Sequence, residues 1–261
     1  VDVREQAAAA PVPAEDLAEA GLRLEIDGPV ATITLDRPDK RNAMTFAMWR
    51  TLARIGDALP GSVRVVVVRG AGKAFSAGID LSMFSEGGGP TADPQEGDRF
   101  IAELQAGYTW LRRPEIVSIA AVHGYAIGAG FQLALACDLR VLADDAWYCM
   151  KEPALGLVPD LTGTKPLVDI VGVNRAIDIC LTARRVAAPE AAALGLAERL
   201  VPAAGLDDAV ADLVAALLQV DADAAVATQR LLREAPGNTL EQQCAAERRE
   251  QLARLRALRG G

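Results

Sequence analysis

Between Ile116 and Cys137 the chain carries no Asp, Glu, Lys or Arg. A run of that length is about as long as a membrane-spanning helix, so it has to be buried either in lipid or in protein. Its interior argues for protein, because His123, Gly124, Gly128, Gly130 and Gln132 interrupt it. Ile116 to Val122 is rich in β-branched residues, whereas Leu133 to Ala136 suits a helix. The run reads as a buried strand, a glycine turn and a buried helix. A chain of 261 residues can enclose such a unit in one large core, or in a domain of about 200 residues with an appendage.

Charge narrows the function classes. Lys and Arg total 27 against 35 Asp and Glu, a net charge of −8. That balance repels phosphate backbones and anionic bilayers, so neither nucleic acid nor a membrane is an expected partner. An apolar fraction of 51% excludes disorder. Cys137, Cys149, Cys180 and Cys244 show no paired spacing, and His123 is the single histidine. No zinc cage or disulfide framework is expected, and no metal site. The N-terminus lacks a basic segment followed by an apolar one, so the expectation is a reduced, soluble, cytoplasmic protein.

The chain divides into three stretches. Residues 1–20, alanine-rich with Pro11 and Pro13, read as a loosely held tail. Residues 21–202 alternate short strands and helices, the pattern of an α/β core with parallel crossovers. There Leu22–Asp27 and Val30–Asp36 read as a hairpin across Gly28-Pro29, Thr45–Leu59 as a helix and Val63–Val68 as a buried strand. A loop at Gly70–Asp80 and a Gly/Pro-rich break at Gly87–Pro94 precede a helix over roughly Asp98–Arg112. Leu139–Leu142 and Trp147–Met150 read as two more strands. Residues 203–261 are wholly helical, with apolar stripes over Asp207–Val220, Ala222–Glu234 and Thr239–Leu258 that form a cap or an interface.

Several familiar motifs fail on inspection. Gly128-Ala-Gly130 has Leu133 where a dinucleotide-binding turn wants glycine, and Gly72-Lys73 is followed by Ala74 rather than Ser or Thr. There is no Gly-x-Ser-x-Gly elbow, and His123 at the end of an apolar strand reads as structural. Two glycine-rich turns remain, Lys73–Leu81 and His123–Gln132, each following a buried strand. Small residues let a ligand approach the backbone, and free N–H groups at a helix start carry partial positive charge. Two such turns face to face would hold one developing oxyanion between two donors.

Five blocks then carry a resemblance: Leu35-Asp-Arg-Pro-Asp-Lys-Arg-Asn-Ala-Met44, Lys73-Ala-Phe-Ser-Ala-Gly-Ile-Asp80, Gly124-Tyr-Ala-Ile-Gly-Ala-Gly-Phe-Gln132, Cys137-Asp-Leu-Arg140 and Leu155-Gly-Leu-Val-Pro-Asp160. In this order, over about Leu24 to Pro202, the chain resembles the crotonase superfamily, the enoyl-CoA hydratase/isomerase family. The resemblance implies a spiral of ββα turns and a C-terminal helical region that builds homo-trimers, often paired into hexamers. It also implies an acyl-CoA thioester ligand and no metal or redox cofactor, CoA being part of the substrate.

By the same resemblance, the backbone N–H groups of Ile79 and Ala129 would form the oxyanion hole. CoA would lie along the Arg37–Ala43 and Lys73–Leu81 loops, against Arg41, Ala43, Lys73, Ala77, Asp80 and Leu81, with Arg41 and Lys73 facing phosphates. Glu152 would be the general acid/base. Hydratases of the family carry a second Glu where Gln132 stands; an amide cannot shuttle a proton near neutral pH but can orient water or a carbonyl, so Gln132 would be a polar positioning residue. Asp160 matches an acid of the family's dienoyl-CoA isomerases, as do Ile79 and Glu152, while Gln132 departs from their Asp. The expected function is therefore an enolate-forming enzyme on unsaturated acyl-CoA, with double-bond isomerisation ahead of hydration. The alternatives are a non-catalytic acyl-CoA binder, or a hydrolase or dehalogenase variant using Asp160 or Glu152 as nucleophile.

Overall fold

The computed structural model describes residues 11–85, 89 and 93–260. Most of the Gly87–Pro94 break and the first ten residues of the expected tail lie outside them. The rest of that tail is not loose: Ala14–Ala20 is a helix (α1) that buries Leu17 and Ala20 and is closed by left-handed Gly21. Local proline content hid two apolar anchors that tertiary packing uses.

β1 (Leu22–Asp27) and β2 (Val30–Leu35) form the expected antiparallel hairpin. α2 (Phe46–Ala58) follows, capped by Thr45, whose side chain accepts from the Met48 N–H, a cap worth about 1 kcal/mol. Its apolar face, Met48, Trp49, Leu52 and Ile55, is buried. β3 (Val65–Gly70), the single turn α3 (Ser82–Ser85) and α4 (Pro94–Thr109) come next. α4 starts four residues earlier than the periodicity suggests, because Asp93 caps it and Pro94 occupies its first turn.

β4 (Val117–Val122), β5 (Tyr125–Ile127) and α5 (Ala129–Ala136) make up the charge-free run, and every residue of α5 is buried. β6 (Leu139–Ala143) and β7 (Trp147–Cys149) match the two further strands. Five elements beyond them have no counterpart in the sequence reading: α6 (Thr164–Val171), α7 (Val173–Thr182), the two-residue β8 (Val186–Ala187), α8 (Ala188–Ala193) and β9 (Arg199–Val201). The chain closes with α9 (Leu206–Leu218), α10 (Ala222–Glu234) and α11 (Leu240–Gly260), the three helices that periodicity indicates.

The main sheet runs β1-β2-β3-β4-β6-β9 and is parallel from β2 onward. After β4 and again after β6 the chain crosses to a second sheet, ordered β5-β7-β8. Single bridges continue this second layer, Ser76 pairing with Ala126 and Met44 with Ile79. Each turn of the spiral thus gives one strand to the main sheet and then a short extended piece to the second layer, the ββα spiral that the five blocks imply. This second layer positions the site, because it sets the two glycine turns side by side. Their ladder runs from Phe75 N–H to His123 O, from Ser76 N–H to Tyr125 O and from Ile127 N–H to Ser76 O, each at 3.0 Å.

α9 buries Leu206, Val210 and Leu213 against the core. α10 and α11 pair by ion pairs, Arg254 with Asp221 and Asp223 and Arg230 with Glu250. They leave Leu232, Leu240, Leu252 and Leu258 exposed. Among the described residues no helix is long and apolar enough to cross a membrane. All four cysteines are free thiols.

Candidate active site

The two peptide units that carry the Ile79 and Ala129 N–H groups are each fixed by their own carbonyl. Gly78 O accepts from Met44 N–H at 2.7 Å, so the Ile79 N–H of the same planar unit points to the opposite side. Gly128 O accepts from Gln132 N–H at 2.9 Å, the first bond of α5, so the Ala129 N–H projects from the helix start. Neither N–H has a partner among the described residues. A Cβ built on Gly78 would lie 2.7 Å from Ile127 O and 3.8 Å from Ala129 N, so the turns meet where only glycine fits.

Ile79 and Ala129 line one cavity of about 280 Å³. Phe46, Trp49, Phe100 and Leu104 form an apolar wall, and among the described residues the acidic groups on its surface are Glu152 and Asp160. A wider groove of about 560 Å³ lies elsewhere, past Gly72, but its arginines are engaged, Arg23 with Asp36 and Arg69 with Asp207. The smaller cavity combines apolar walls, free amides and unpaired acids, the mark of a reacting site.

Glu152 opens a 3₁₀ turn (Glu152–Leu155) after β7 and is buried. Its Oε1 accepts from Gln132 Nε2 at 2.7 Å, and no group among the described residues bonds its buried Oε2. Burial pushes its pKa above the usual carboxylate range, opposed by the Gln132 bond and assisted by the negative charge of Asp160. The carboxyl packs on Gly128, where an added Cβ would lie 3.0 Å from Oε1, and Gly128 has φ +52°. Glycine at 128 therefore lets the acid sit directly beside the Ala129 amide.

Gln132 is fully buried, with both acceptor positions of its oxygen filled. Besides donating to Glu152, its Oε1 accepts from Leu161 N–H at 2.8 Å and Gly163 N–H at 3.2 Å. It anchors both the acid and the loop that carries Asp160. Gln105 Nε2 holds the same loop from α4, bonding Asp160 O at 2.6 Å. The Asp160 side chain is half-buried in the cavity wall, and burial raises its pKa as well.

The expected CoA-loop residues divide. Arg41 and Lys73 are exposed and have no ion-pair partner among the described residues, while Leu81 lies open at the same rim. Asp80 is spoken for: it pairs with Arg37 at 2.9 Å and accepts from Ser82, and these contacts hold its pKa below the usual range. Arg37 also bonds Ala43 O, and Ala77 N–H bonds Arg41 O. Asp80 and Ala77 therefore tie the two loops together, while the Ala43 carbonyl is taken up within its own loop.

Sequence reasoning missed Trp49 and Tyr108. Both are fully buried beneath the amides, Trp49 Nε1 donating to Tyr108 Oη at 3.0 Å and Tyr108 Oη to Ala129 O at 2.8 Å. The one available signal was that both carry a polar tip on an apolar helix face.

Comparison with known proteins agrees with the geometry. A family model described as enoyl-CoA hydratase/isomerase matches residues 25–255. The carnitinyl-CoA dehydratase of Salmonella arizonae is 38% identical over 226 residues, 85% of this chain and 83% of its own. A Mycobacterium tuberculosis protein described as "Probable enoyl-CoA hydratase echA8" is 32% identical over 228 residues, 87% of this chain and 86% of its own. A Thermobifida fusca YX protein with an enoyl-CoA hydratase assignment, solved with CoA, superposes at a TM-score of 0.91 with 58% identity, covering 96% of this chain and 99% of its own. Its complex with acetoacetyl-CoA gives 0.91 and 60%, covering 95% and 99%. The chain belongs to the enoyl-CoA hydratase/isomerase family, the crotonase superfamily.

Proposed function

We propose that this chain moves a double bond in an unsaturated acyl-CoA, using Glu152 as the proton carrier. The thioester oxygen lies between the N–H groups of Ile79 and Ala129. Glu152 Oε2 takes a proton from the α-carbon of a 3-enoyl thioester. The C–H electron pair flows into the conjugated system and onto the oxygen, giving a dienolate held by the two amides. The protonated Glu152, its proton exchanging with solvent, gives a proton to the γ-carbon, the electrons close a 2,3 double bond, and the Glu152 carboxylate is restored. The reaction draws on protein groups alone, CoA entering with the substrate. Removing one of two such donors typically costs about 3–4 kcal/mol of barrier.

The observation that carries isomerisation over hydration is the state of Gln132. Its oxygen takes two backbone N–H groups and one N–H of its nitrogen is bound to Glu152, so it has no acceptor left with which to draw a proton from water. The named ligands of the Thermobifida relative support a CoA thioester substrate. The Salmonella relative's name supports a second reading, hydration or dehydration, in which Asp160 and Glu152 flank a water. Incubation of 2-enoyl-, 3-enoyl- and dienoyl-CoA in D₂O, read by mass spectrometry, separates the two. Deuterium without added oxygen is expected; a gained hydroxyl would establish hydration, and binding without exchange a non-catalytic acyl-CoA binder. Asp160→Asn retains exchange at the α-carbon if Asp160 serves only the far end of the chain.

The exposed leucines of α10 and α11 support assembly into homo-trimers or hexamers through the C-terminal helices. A monomer by light scattering at micromolar concentration would overturn that part.

A further inference from the structure

We propose that Tyr108 is a positioning residue for both oxyanion amides, its hydroxyl bracing their two peptide units from behind. The inference rests on the reading of Ile79 and Ala129 as the donor pair.

Tyr108 lies on α4, its ring fully buried, with Oη at the junction of the two turns. On one side it donates to Ala129 O at 2.8 Å. The flanking Gly128 N–H is held by Cys149 O at 2.8 Å. The peptide between them, which carries the Ala129 N–H, is therefore pinned on both flanks. On the other side Oη touches Met44 Sδ at 3.2 Å. Met44 brackets Ile79, its N–H bonding Gly78 O at 2.7 Å and its carbonyl accepting from Asp80 N–H at 2.9 Å. A hydroxyl has one proton, so the shorter oxygen contact takes it and the sulfur packs against the lone-pair side. Trp49 Nε1 fills the remaining acceptor position at 3.0 Å and fixes the direction of the hydroxyl.

This arrangement fits positioning rather than proton transfer. Burial raises the phenol pKa well above 10, with Glu152 and Asp160 opposing its ionisation as well, so Tyr108 stays neutral beside two acids. It is also separated from the cavity surface by the peptides it supports, being absent from the lining that includes Trp49, Ile79 and Ala129. Ground-state binding needs the amides only roughly placed. An enolate oxygen, with its concentrated charge, needs them within a few tenths of an ångström.

The test uses the intact protein and [1-¹³C]butanoyl-CoA, whose labelled carbonyl stretch reports polarisation by the two amides whether or not turnover occurs. Wild type is expected to shift the bound carbonyl to low frequency. Tyr108→Phe is expected to lose a clear part of that shift while the dissociation constant stays within about threefold. On enoyl-CoA its kcat should fall about 10- to 30-fold with KM within about threefold, and the acid limb of the pH profile, set by Glu152, should stay in place. A wild-type shift in Tyr108→Phe overturns the inference alone. An equal loss in kcat and affinity, as from general loosening, also overturns it. No shift in wild type overturns the donor pair and the inference together. Should Tyr108→Phe fail to fold, 3-fluorotyrosine at position 108 keeps shape and hydroxyl while strengthening the donor. A further move to low frequency then supports the brace, and an unchanged frequency refutes it.

Discussion

Replacing Gln132 with Glu places a second carboxyl where an amide nitrogen now sits 2.7 Å from Glu152 Oε1. Two ionised oxygens at that distance repel by about 6 kcal/mol at an effective dielectric constant of ~20. A proton shared between them returns roughly 2 kcal/mol as a charge-assisted hydrogen bond. The doubly ionised state then lies about 8 kcal/mol above the state that shares one proton, roughly a millionfold in population. The retained proton has a defined home. Leu161 and Gly163 N–H groups point at the residue-132 oxygen and favour its ionised form, so Glu152 keeps the proton and ceases to be a base. Gln132→Glu should therefore slow α-proton exchange in D₂O by at least about a hundredfold at neutral pH, and move the rising limb of the rate to higher pH. The assay is the exchange rate measured from about pH 5 to pH 9 for both proteins. A variant with a wild-type limb and a rate within about threefold would mean that Glu152 is not the base, or that residue 132 does not govern it.

Three further outcomes follow from the same geometry. Glu152→Gln should reduce proton exchange by at least about a hundredfold. It should also melt higher than wild type at neutral pH: a buried carboxyl with a raised folded pKa loses stability as pH climbs from its unfolded value through the folded one. Calorimetry should find that advantage gone below the ordinary carboxylate range, and a pH-independent difference would refute it. Gly128→Ala puts a side chain at φ +52° and a Cβ 3.0 Å from Glu152 Oε1. It should cost about 1–2 kcal/mol of stability and at least about tenfold in kcat, by melting and turnover together. Lys73→Glu and Arg41→Glu should each weaken CoA binding about three- to tenfold in low salt and less in high salt, by titration calorimetry at both; a salt-independent effect would remove them from the phosphate path.

The charge-free run, the hairpin, the helix over Thr45–Leu59 and the three C-terminal helices could be read directly, because periodicity is a local property of the chain. The five blocks were legible too, and the family resemblance they carry implied Ile79, Ala129, Glu152 and Asp160, which line one cavity. The stretch from Leu161 to Val201 was not legible: its helices are short, and β8 and β9, of two and three residues, exist only because neighbouring strands offer them a ladder. α1 was obscured by the prolines ahead of it.

The roles of individual site residues depended on contacts that no spacing encodes. Gln132 was expected to be a polar positioning residue, but what it holds, Glu152 and the Asp160 loop through three hydrogen bonds, only the packing shows. Asp80 looked like part of a ligand surface, but Arg37 and Ser82 occupy its carboxylate. Trp49 and Tyr108, 59 residues apart, meet Ala129 only after α2, α4 and α5 have packed. Sequence alone determined which segments could be buried and where the backbone had to bend sharply. The tertiary structure decided which polar atoms are satisfied and which are left free, because hydrogen-bond partners distant in sequence are chosen by packing; among the described residues those left free in this cavity include the Ile79 and Ala129 N–H groups and Glu152 Oε2.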